Sequence, residues 1–338
     1  MSSLKRVIPA LGWLSSYRRD DLTADALAGV IVAIMLVPQA MAYALLAGLP
    51  PQIGLYAAIL PLVAYAVFGT SRTLAVGPVA IVSLMVASTL QGIEGIDEAA
   101  YPALALLLAL ISGAMLLAMG ILRLGFLMNC LSHPVISDFT NAAAIVIGLS
   151  QVRHLMGISV PRSPSVIETV RSLVGAMDLI NPTAAVLGIG SVAFLIAWRA
   201  GFTRLAANQG TPGGALDAAA KAGPLVAVVI TTLFILILNL KDTAGVRVVG
   251  AIPSGLPGLT VPDFAGVPWR EIAFAAFLIS FVGFLESVSV AKSLGSKRRQ
   301  KIDPNQELIG LGAANLTSAF SGGYPVTGGF SRSVVNFT

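Results

Sequence analysis

The stretch ALAGVIVAIMLVPQAMAYALL, residues Ala26–Leu46, carries no charged side chain and is long enough to cross the hydrocarbon core of a bilayer. Apolar blocks of similar character recur along the chain, separated by short segments rich in glycine, proline and charged residues. Of the 338 residues, 56% are hydrophobic and 11% are charged, whereas charged residues make up about 25% of soluble domains. The composition therefore excludes a water-soluble fold and predicts an all-α polytopic membrane protein.

Ten apolar blocks are candidate membrane spans, although several are short or interrupted. We expect a cytoplasmic N-terminus, because this orientation places fourteen of the 21 Lys and Arg residues in inner loops and six in outer loops. The first block leads into further spans without a cleavage site, so we interpret it as a retained span. The predicted spans are Ala26–Leu46, Ile53–Phe68, Val79–Leu90, Tyr101–Leu122, Pro134–Leu149, Thr183–Trp198, Pro224–Leu240, Ile272–Val290, Glu307–Phe320 and a last one that opens near Gly328.

Three stretches between the spans have a different character. Ser165–Leu179 places its apolar residues on one side of a helix, and this pattern predicts an amphipathic helix on the outer membrane surface. Asn208–Gly214 and Ile252–Pro268 are rich in glycine and proline, which predicts loops.

Metal, redox and enzyme chemistry receive no support from the residue types. Cys130 has no second cysteine to pair with, and His133 and His154 lack the spacing of metal ligands. No nucleophile and base occur together in the spans, so we predict neither an enzyme nor a cofactor. The net charge of +5 fits basic cytoplasmic loops, and we predict no nucleic-acid partner.

Pro38 and Gln39 interrupt the first span at mid-depth. The proline lacks an N–H and the glutamine amide needs a hydrogen-bond partner, so both require a neighbouring helix or a cavity. Two interpretations stay open. The pair is either a structural kink bonded to an adjacent helix or part of the lining of a transport site.

The segment RTLAVGPV, Arg72–Val79, runs from an extended stretch through Gly77 and Pro78 into an apolar helix. Proline in the first helical position marks a helix start, here inside the membrane. The unpaired N–H groups and the positive end of the helix dipole make such a start an anion site if it faces a cavity. The alternative is a helix that starts deep and is capped by neighbouring protein.

A similar pattern returns in GGYPVTGGFSRS, Gly322–Ser333. The glycines allow a close approach of backbone or ligand, and the Ser331 and Ser333 hydroxyls can act as donors. Arg332 adds a permanent positive charge where charge is costly, so we expect it to face water, a ligand or a carboxylate. If the segment is instead a surface loop, Arg332 is simply solvated.

Glu286 lies near the middle of an apolar span. A carboxylate at that depth costs at least about 2 kcal/mol on insertion scales, so it is normally protonated, paired or functional. A buried ion pair with Arg332 that holds the helices together is the structural alternative.

These features occur in the same order twice. Gln39 precedes Pro78 by 39 residues, and Glu286 precedes Ser331 by 45. With the predicted topology the first helix start points outward and the second inward, so the two halves are related by inversion. Interrupted segments at corresponding places of two inverted halves are the best sequence pointer to a transporter binding site.

At these residues the sequence resembles the sulfate permease (SulP) family of anion transporters. The matching motifs are spread from Asp21 to the last residues. They are DLTADALAGV at Asp21–Val30, VPQAMAYA at Val37–Ala44, LPPQIGLY at Leu49–Tyr56, FGTSR at Phe68–Arg72, VGPVA at Val76–Ala80, FLES at Phe284–Ser287, DPNQEL at Asp303–Leu308 and GGFSRS at Gly328–Ser333.

The resemblance implies two inverted repeats of seven spans, with a core domain that moves against a gate domain. It implies an N-terminal segment at 1–24, core parts at 25–128 and 271–338, and a gate part at 129–270. The chain ends at Thr338, inside the tenth predicted span, so we expect an incomplete second repeat and no cytoplasmic STAS domain.

The implied function is secondary active transport of sulfate, bicarbonate or a dicarboxylate across the inner membrane, coupled to a proton or sodium. A homodimer is left open. Glu286 matches the family's acidic coupling position, and we place Ser287 beside it. The residues assigned to the anion are Gln39, Tyr43, Gly77, Pro78, Val79, Phe330, Ser331 and Arg332.

Two other functions remain open at this stage. A nucleobase carrier of the same architecture would bind an uncharged ring through Gln39, Tyr43 and Glu286, but it gives no role to Arg332. A truncated membrane scaffold that does not transport is the second alternative, favoured by the end of the chain at Thr338.

Overall fold

The computed structural model describes the chain except at residues 1–6, 16, 94, 131–140, 143, 146–147, 150, 159–165, 210–218, 221, 249, 251–254, 263, 265–266 and 338, and the side chains at 20, 24, 129–130, 166 and 206–209 are also outside it. Two compact units are present. The first joins Met1–Asp138 to Ile252–Thr338, and the second is Phe139–Ala251. The second unit falls within the segment 129–270 that was predicted as a gate.

The first unit consists of helices and one pair of very short strands. In chain order they are α1 (Ala10–Leu14), α2 (Arg19–Ala47), α3 (Pro51–Tyr56), α4 (Leu60–Phe68), β1 (Val76–Gly77), α5 (Ala80–Gly92) and α6 (Tyr101–Ile121). After the second unit the chain continues with α11 (Trp269–Lys297), α12 (Pro304–Phe320), β2 (Thr327–Gly328) and α13 (Phe330–Phe337).

The second unit contains α7 (Val166–Gly175), α8 (Pro182–Gln209), α9 (Gly223–Ile237) and α10 (Leu240–Ala244). Asn181 connects its parts, since its Nδ2 donates to the Ala244 carbonyl at 2.7 Å and its Oδ1 accepts from the Ala184 N–H at 3.0 Å. The predicted amphipathic helix at Ser165–Leu179 is confirmed as α7 followed by a 3₁₀ turn at Met177–Leu179, and Ile167 on it is 80% exposed. Its place on the outer membrane surface stays a prediction.

Helix α2 begins where Asp21 Oδ2 accepts a hydrogen bond from the Arg18 N–H at 2.9 Å. It ends at Gly48, whose φ of 84° lies in the left-handed region that favours glycine at a helix terminus. Pro38 lies inside the helix. The helix therefore keeps Gln39 and Tyr43 one turn apart on one face.

The predicted span Ile53–Phe68 is interrupted after Tyr56, because Pro61 favours a new helix start at α4. The first of the two short helices packs tightly on α2 at a glycine. A Cβ atom on Gly54 would lie 2.0 Å from the Ala40 carbonyl oxygen. The contact therefore requires a residue without a side chain.

Helices α6 and α12 cross at small residues. A Cβ atom on Gly113 would lie 2.7 Å from the Leu316 N atom, and one on Gly312 would lie 2.8 Å from the Leu117 N atom. Small residues let helix backbones approach closely in a membrane, where packing must replace the hydrophobic effect. This crossing fixes α12, and with it the start of the segment that leads to β2.

Among the described residues, five segments are long and apolar enough to cross a membrane: Asp21–Ala47, Pro51–Phe68, Glu98–Ile121, Pro182–Leu205 and Trp269–Lys297. Helices α5 and α9 are apolar but shorter. The predicted span Pro134–Leu149 lies largely outside the described residues, as do parts of the two predicted loops. The chain is thus a multi-pass membrane protein in which some helices are too short to span alone.

Candidate functional site

The two short strands are buried and pair with each other. They are antiparallel, with Val76 opposite Gly328 and Gly77 opposite Thr327. Beyond the register, the Gly329 N–H donates to the Ala75 carbonyl at 3.0 Å. Two segments separated by some 250 residues of sequence are thereby brought into direct contact.

Each strand leads straight into a helix. Val79 is extended, with φ −135° and ψ 153°, and α5 follows at Ala80; α13 follows β2 at Phe330. Because the strands are antiparallel, the two helices leave in opposite directions and their N-termini both lie at the strand pair. Helix α5 has 13 residues, about 20 Å of length, so it is too short to span the bilayer alone.

Arg332 lies in the first turn of α13 and is 1% exposed. Its Nη1 donates to the Pro78 carbonyl at 2.6 Å and to Gln39 Oε1 at 3.2 Å. Its Nε and Nη2 are buried and have no hydrogen-bond partner among the residues that the structure describes. A buried guanidinium with two unpartnered donors is costly. The side chain is therefore able to receive an acceptor that the described residues do not supply.

Gln39 and Tyr43 connect the first span to this arginine. The Gln39 oxygen accepts from Arg332, and its Nε2 donates to the Tyr43 hydroxyl at 3.1 Å. Both side chains are half-buried. Gln39 is therefore bonded to a neighbouring helix, through the residue that carries the site's positive charge, and its part in lining a transport site stays a prediction.

Glu286 also has a buried atom without a partner, its Oε2. Arg332 is close enough to act on this carboxyl group electrostatically. Neither side chain satisfies the other, however, because Glu286 Oε2 and the Nε and Nη2 of Arg332 all stay without hydrogen bonds among the described residues. The alternative of a direct ion pair that holds the helices together is wrong for this structure.

Ser287 faces the strand and not an open space. Its hydroxyl accepts from the Gly328 N–H at 2.7 Å and shares a hydrogen bond with the Thr327 hydroxyl at 2.5 Å. Thr327 in turn donates to the Gly283 carbonyl at 2.6 Å. Helix α11 thus holds β2 through Ser287, while Glu286 one residue earlier keeps a buried oxygen free.

The predicted site residues separate into three groups. Gly77, Pro78 and Val79 are buried beside Arg332, and Gln39 and Tyr43 are half-buried. Phe330 and Ser331 are exposed on the first turn of α13. Pro78 was expected to open the helix, but α5 begins two residues later, because Pro78 is used in the extended segment, where its carbonyl accepts from Arg332.

Ser333 has a role that differs from the predicted one. Its hydroxyl accepts from the Ala75 N–H at 2.9 Å and donates to the Gly329 carbonyl at 2.6 Å. These bonds join α13 to the segment before β1, so the hydroxyl is a structural link and not a ligand. Only contact between distant segments reveals this, since Ser331 and Ser333 have the same side chain.

Sequence reasoning missed the polar residues behind the second strand. Asn315 accepts from the Val326 N–H and donates to the Val326 carbonyl, both at 2.9 Å. The Tyr324 and Ser83 hydroxyls lie 2.8 Å apart and link the strand segment to α5. The signals available in the sequence were Asn315, a polar residue within an apolar span, and Tyr324, within a glycine-rich segment.

A small cavity of about 10 Å³ is lined in part by Ser112, Ser280, Asn315 and, from β2, Thr327. A volume of this size admits one water molecule at most. Among the described residues no cluster of His, Cys, Asp or Glu could hold a metal ion. The unpartnered groups of Arg332 and Glu286 therefore remain the strongest candidate site.

Comparison with known proteins adds a family match. A model of the sulfate permease family matches residues 22–338. The chain is 41% identical over 334 residues to sulfate transporter 4.1, chloroplastic, of Arabidopsis thaliana, covering 98% of this chain and 47% of that protein. It is 34% identical over 355 residues to the sodium-independent sulfate anion transporter of Bos taurus, covering 99% and 57%. The chain spans about half the length of the curated relatives it matches.

Solved structures show the same fold at lower identity. The murine solute carrier 26 family member A9 anion transporter in the inward-facing state superposes with a TM-score of 0.87 at 24% identity, over 99% of this chain and 56% of that one. The transmembrane domain of a cyanobacterium bicarbonate transporter, BicA, superposes with a TM-score of 0.79 at 24% identity, over 95% and 78%. The predicted inverted-repeat transporter fold is confirmed.

Proposed function

Because the chain belongs to the sulfate permease family, we propose that it forms the anion-binding half of a secondary transporter for sulfate, bicarbonate or a dicarboxylate. The observation that carries the proposal is the buried Arg332 guanidinium at the meeting point of two helix N-termini, whose Nε and Nη2 have no partner in the described part of the chain. Two donors in a fixed fork match the oxygens of a planar or tetrahedral oxyanion.

The anion binds where three sources of positive potential meet. The N-termini of α5 and α13 each contribute roughly half a positive charge, and Arg332 contributes a full one. Gln39 holds the guanidinium through Nη1, which leaves Nε and Nη2 for the ligand. Tyr43, Gly77, Val79, Phe330 and Ser331 complete the wall of the site in this proposal.

Glu286 couples the anion to a cation in this mechanism. An ionised carboxylate near Arg332 competes with the anion for the same positive charge, whereas a protonated or sodium-bound carboxylate does not. Neutralising Glu286 therefore favours anion binding, and the two ions cross together. Ser287 contributes to coupling by holding β2 at Gly328 beside this carboxyl group.

The core parts 25–128 and 271–338 carry the site, and the segment 129–270 forms the gate against which they move. Rocking of one domain against another around a fixed mid-membrane site is the general mechanism of inverted-repeat carriers. The protein is placed in the inner membrane with a cytoplasmic N-terminus, on the strength of the distribution of Lys and Arg.

The substrate class also has support from relatives. The two curated relatives above carry sulfate in their names, and one of the superposed structures is named a bicarbonate transporter. Both sulfate and bicarbonate present the oxygens that a guanidinium fork can bind. A nucleobase would leave the charge of Arg332 without a counterpart.

Uptake into proteoliposomes tests the proposal. The complete open reading frame that contains these 338 residues is purified and reconstituted, and uptake of radiolabelled sulfate is measured with sulfate, bicarbonate, chloride and a dicarboxylate as competitors, at two pH values. We expect one oxyanion to be taken up and to compete best, more strongly at the lower pH. Uptake of none of them, with uptake of a labelled nucleobase instead, would contradict the proposal.

A further inference from the structure

Glu307 is a second buried charge of the first unit, and it lies away from the anion site. The side chain is 0% exposed and stands in the first turn of α12. Its carboxylate accepts from the Tyr65 hydroxyl at 2.6 Å, from the Thr70 N–H at 2.8 Å and from the Thr70 hydroxyl at 2.5 Å, with a longer bond from the Ser71 N–H at 3.2 Å. Both carboxylate oxygens are thus satisfied by neutral donors.

Two neighbouring side chains bind the same segment. Gln300 Nε2 donates to the Thr70 carbonyl at 2.6 Å, and Gln306 Nε2 donates to the Phe68 carbonyl at 2.7 Å. We call the three side chains of Glu307, Gln300 and Gln306 the clamp. The clamp holds the backbone of residues 68–71 from α12 and the loop before it, although more than 200 residues of sequence lie between them.

The clamped segment continues directly into the first strand. Ser71 Oγ accepts from the Leu74 N–H at 3.1 Å, and the next residue, Ala75, bonds to Ser333 and Gly329 at the start of α13. The strand then supplies the Pro78 carbonyl that accepts from Arg332. A short backbone segment, fixed by hydrogen bonds at both of its ends, therefore connects Glu307 to the guanidinium.

We infer that Glu307 is a positioning residue, which holds β1 in register with β2 and thereby sets the place of the Pro78 carbonyl and of Arg332. This inference rests on the proposed function. An ionised carboxylate is suited to the task, because hydrogen bonds to a charged acceptor are about twice as strong as neutral ones. The N-terminal end of α12 further stabilises its negative charge.

A stability role and a positioning role predict different results. If Glu307 only stabilises the fold, its loss weakens the whole unit and lowers the amount of folded protein. If it positions β1, its loss frees residues 69–79 first and weakens anion binding in the protein that does fold. The readout must therefore be local.

The test compares Thr70→Val with Thr70→Ser in the complete open reading frame. Valine has the shape of threonine but no hydroxyl, so one bond to Glu307 is lost, whereas serine keeps the hydroxyl. Glu307→Gln is the second variant, because the amide carries no charge and its Nε2 cannot accept the hydrogen bonds that the replaced carboxylate oxygen accepts. Asn181→Ala, in the second unit, is the matched control for general loss of hydrogen bonding.

Hydrogen–deuterium exchange gives the readout that does not depend on transport. We expect exchange of residues 69–79 to become about tenfold faster in Thr70→Val and Glu307→Gln, with α8 unchanged and Thr70→Ser like the parent. Unchanged exchange at 69–79, or an equal increase in α8, would overturn the inference.

The Michaelis constant for anion uptake is the second readout. We expect it to rise about fivefold in Thr70→Val at equal protein density, while Thr70→Ser restores it. An unchanged Michaelis constant alongside faster exchange would also overturn the inference. If the unsubstituted protein transports no anion at all, the proposed function fails, and the exchange experiment still decides the role of Glu307.

Discussion

Among the residues the structure describes, Arg332 and Glu307 are the two charged side chains that are almost fully buried. They differ in how many of their polar atoms have hydrogen-bond partners. Glu307 has both oxygens occupied by hydrogen bonds from residues 65–71, whereas Arg332 keeps two of its nitrogens free. A satisfied buried charge is a structural element, and an unsatisfied one is a place for a ligand. The contrast distinguishes what holds the site from what binds at it.

Removal of the Arg332 side chain tests whether its unpartnered donors bind the anion, and it has the largest expected effect. We expect Arg332→Ala to weaken anion binding about 100-fold, because two hydrogen bonds to a charged donor are lost. Titration calorimetry of the purified protein with the preferred anion measures it. Arg199→Ala removes the same charge from an exposed position of α8 and serves as the control. Equal affinities for the two variants would remove Arg332 from the site.

Neutralisation of Glu286 tests the other unpartnered buried atom. In the unsubstituted protein we expect anion affinity to rise as the pH falls, since protonation removes a negative charge near Arg332, with up to about a tenfold change per pH unit for one proton. Glu286→Gln should bind the anion tightly at every pH. Glu271→Gln, at the exposed start of the same helix, should keep the pH dependence. A retained pH slope in Glu286→Gln would contradict the coupling role.

Substitution of two glycines next to the strand pair tests the position of the Arg332 guanidinium. A Cβ atom on Gly329 would lie 2.8 Å from Arg332 Nη2, and one on Gly77 would lie 3.4 Å from it. We expect Gly329→Ala to displace the guanidinium and weaken anion binding about tenfold. Gly77→Ala should stay close to the parent. The reverse order in a binding titration would show that the arginine takes another position when it binds its ligand.

The smallest expected effect comes from Tyr43, which is linked to Arg332 only through Gln39. Tyr43→Phe removes the acceptor of Gln39 Nε2 and leaves the bond from Arg332 to Gln39 in place. We expect anion binding to weaken by about threefold, the range of one neutral hydrogen bond. The same titration measures it, with Tyr17→Phe in the segment before α2 as the control. A loss as large as that of Arg332→Ala would mean that Tyr43 contacts the anion directly.

Much of the fold could be read from periodicity and charge. The apolar blocks predicted α2, α6, α8 and α11, and the Gly-Pro and Gly-Gly segments predicted two interrupted elements that start helices inside the membrane. Those segments can be recognised in the sequence because proline fixes φ and glycine permits conformations that other residues avoid, whatever surrounds them. The interruption at Tyr56 was harder to see, since it lies within a continuous apolar block.

The assignment of individual side chains was less accessible. Ser331 and Ser333 are chemically identical and two residues apart, yet one is exposed and the other links α13 to Ala75. The sequence also allowed a direct ion pair between Glu286 and Arg332. Among the described residues, Glu286 Oε2 and the Nε and Nη2 of Arg332 have no hydrogen-bond partner. Glu307 was assigned to a span and to a family motif but given no role, because a carboxylate in the first turn of a helix is an ordinary feature.

The amino-acid sequence by itself determined that this chain lies in a bilayer, where most of its helices are, and that two glycine- and proline-containing segments lead into helices. These properties follow from hydropathy and from backbone restrictions that act over a few residues. Only the tertiary structure decided that Val76–Gly77 pairs with Thr327–Gly328, that Arg332 keeps free donors and that Glu307 keeps none. Those facts depend on which distant groups satisfy one another's hydrogen bonds, and no local pattern in the chain encodes that outcome.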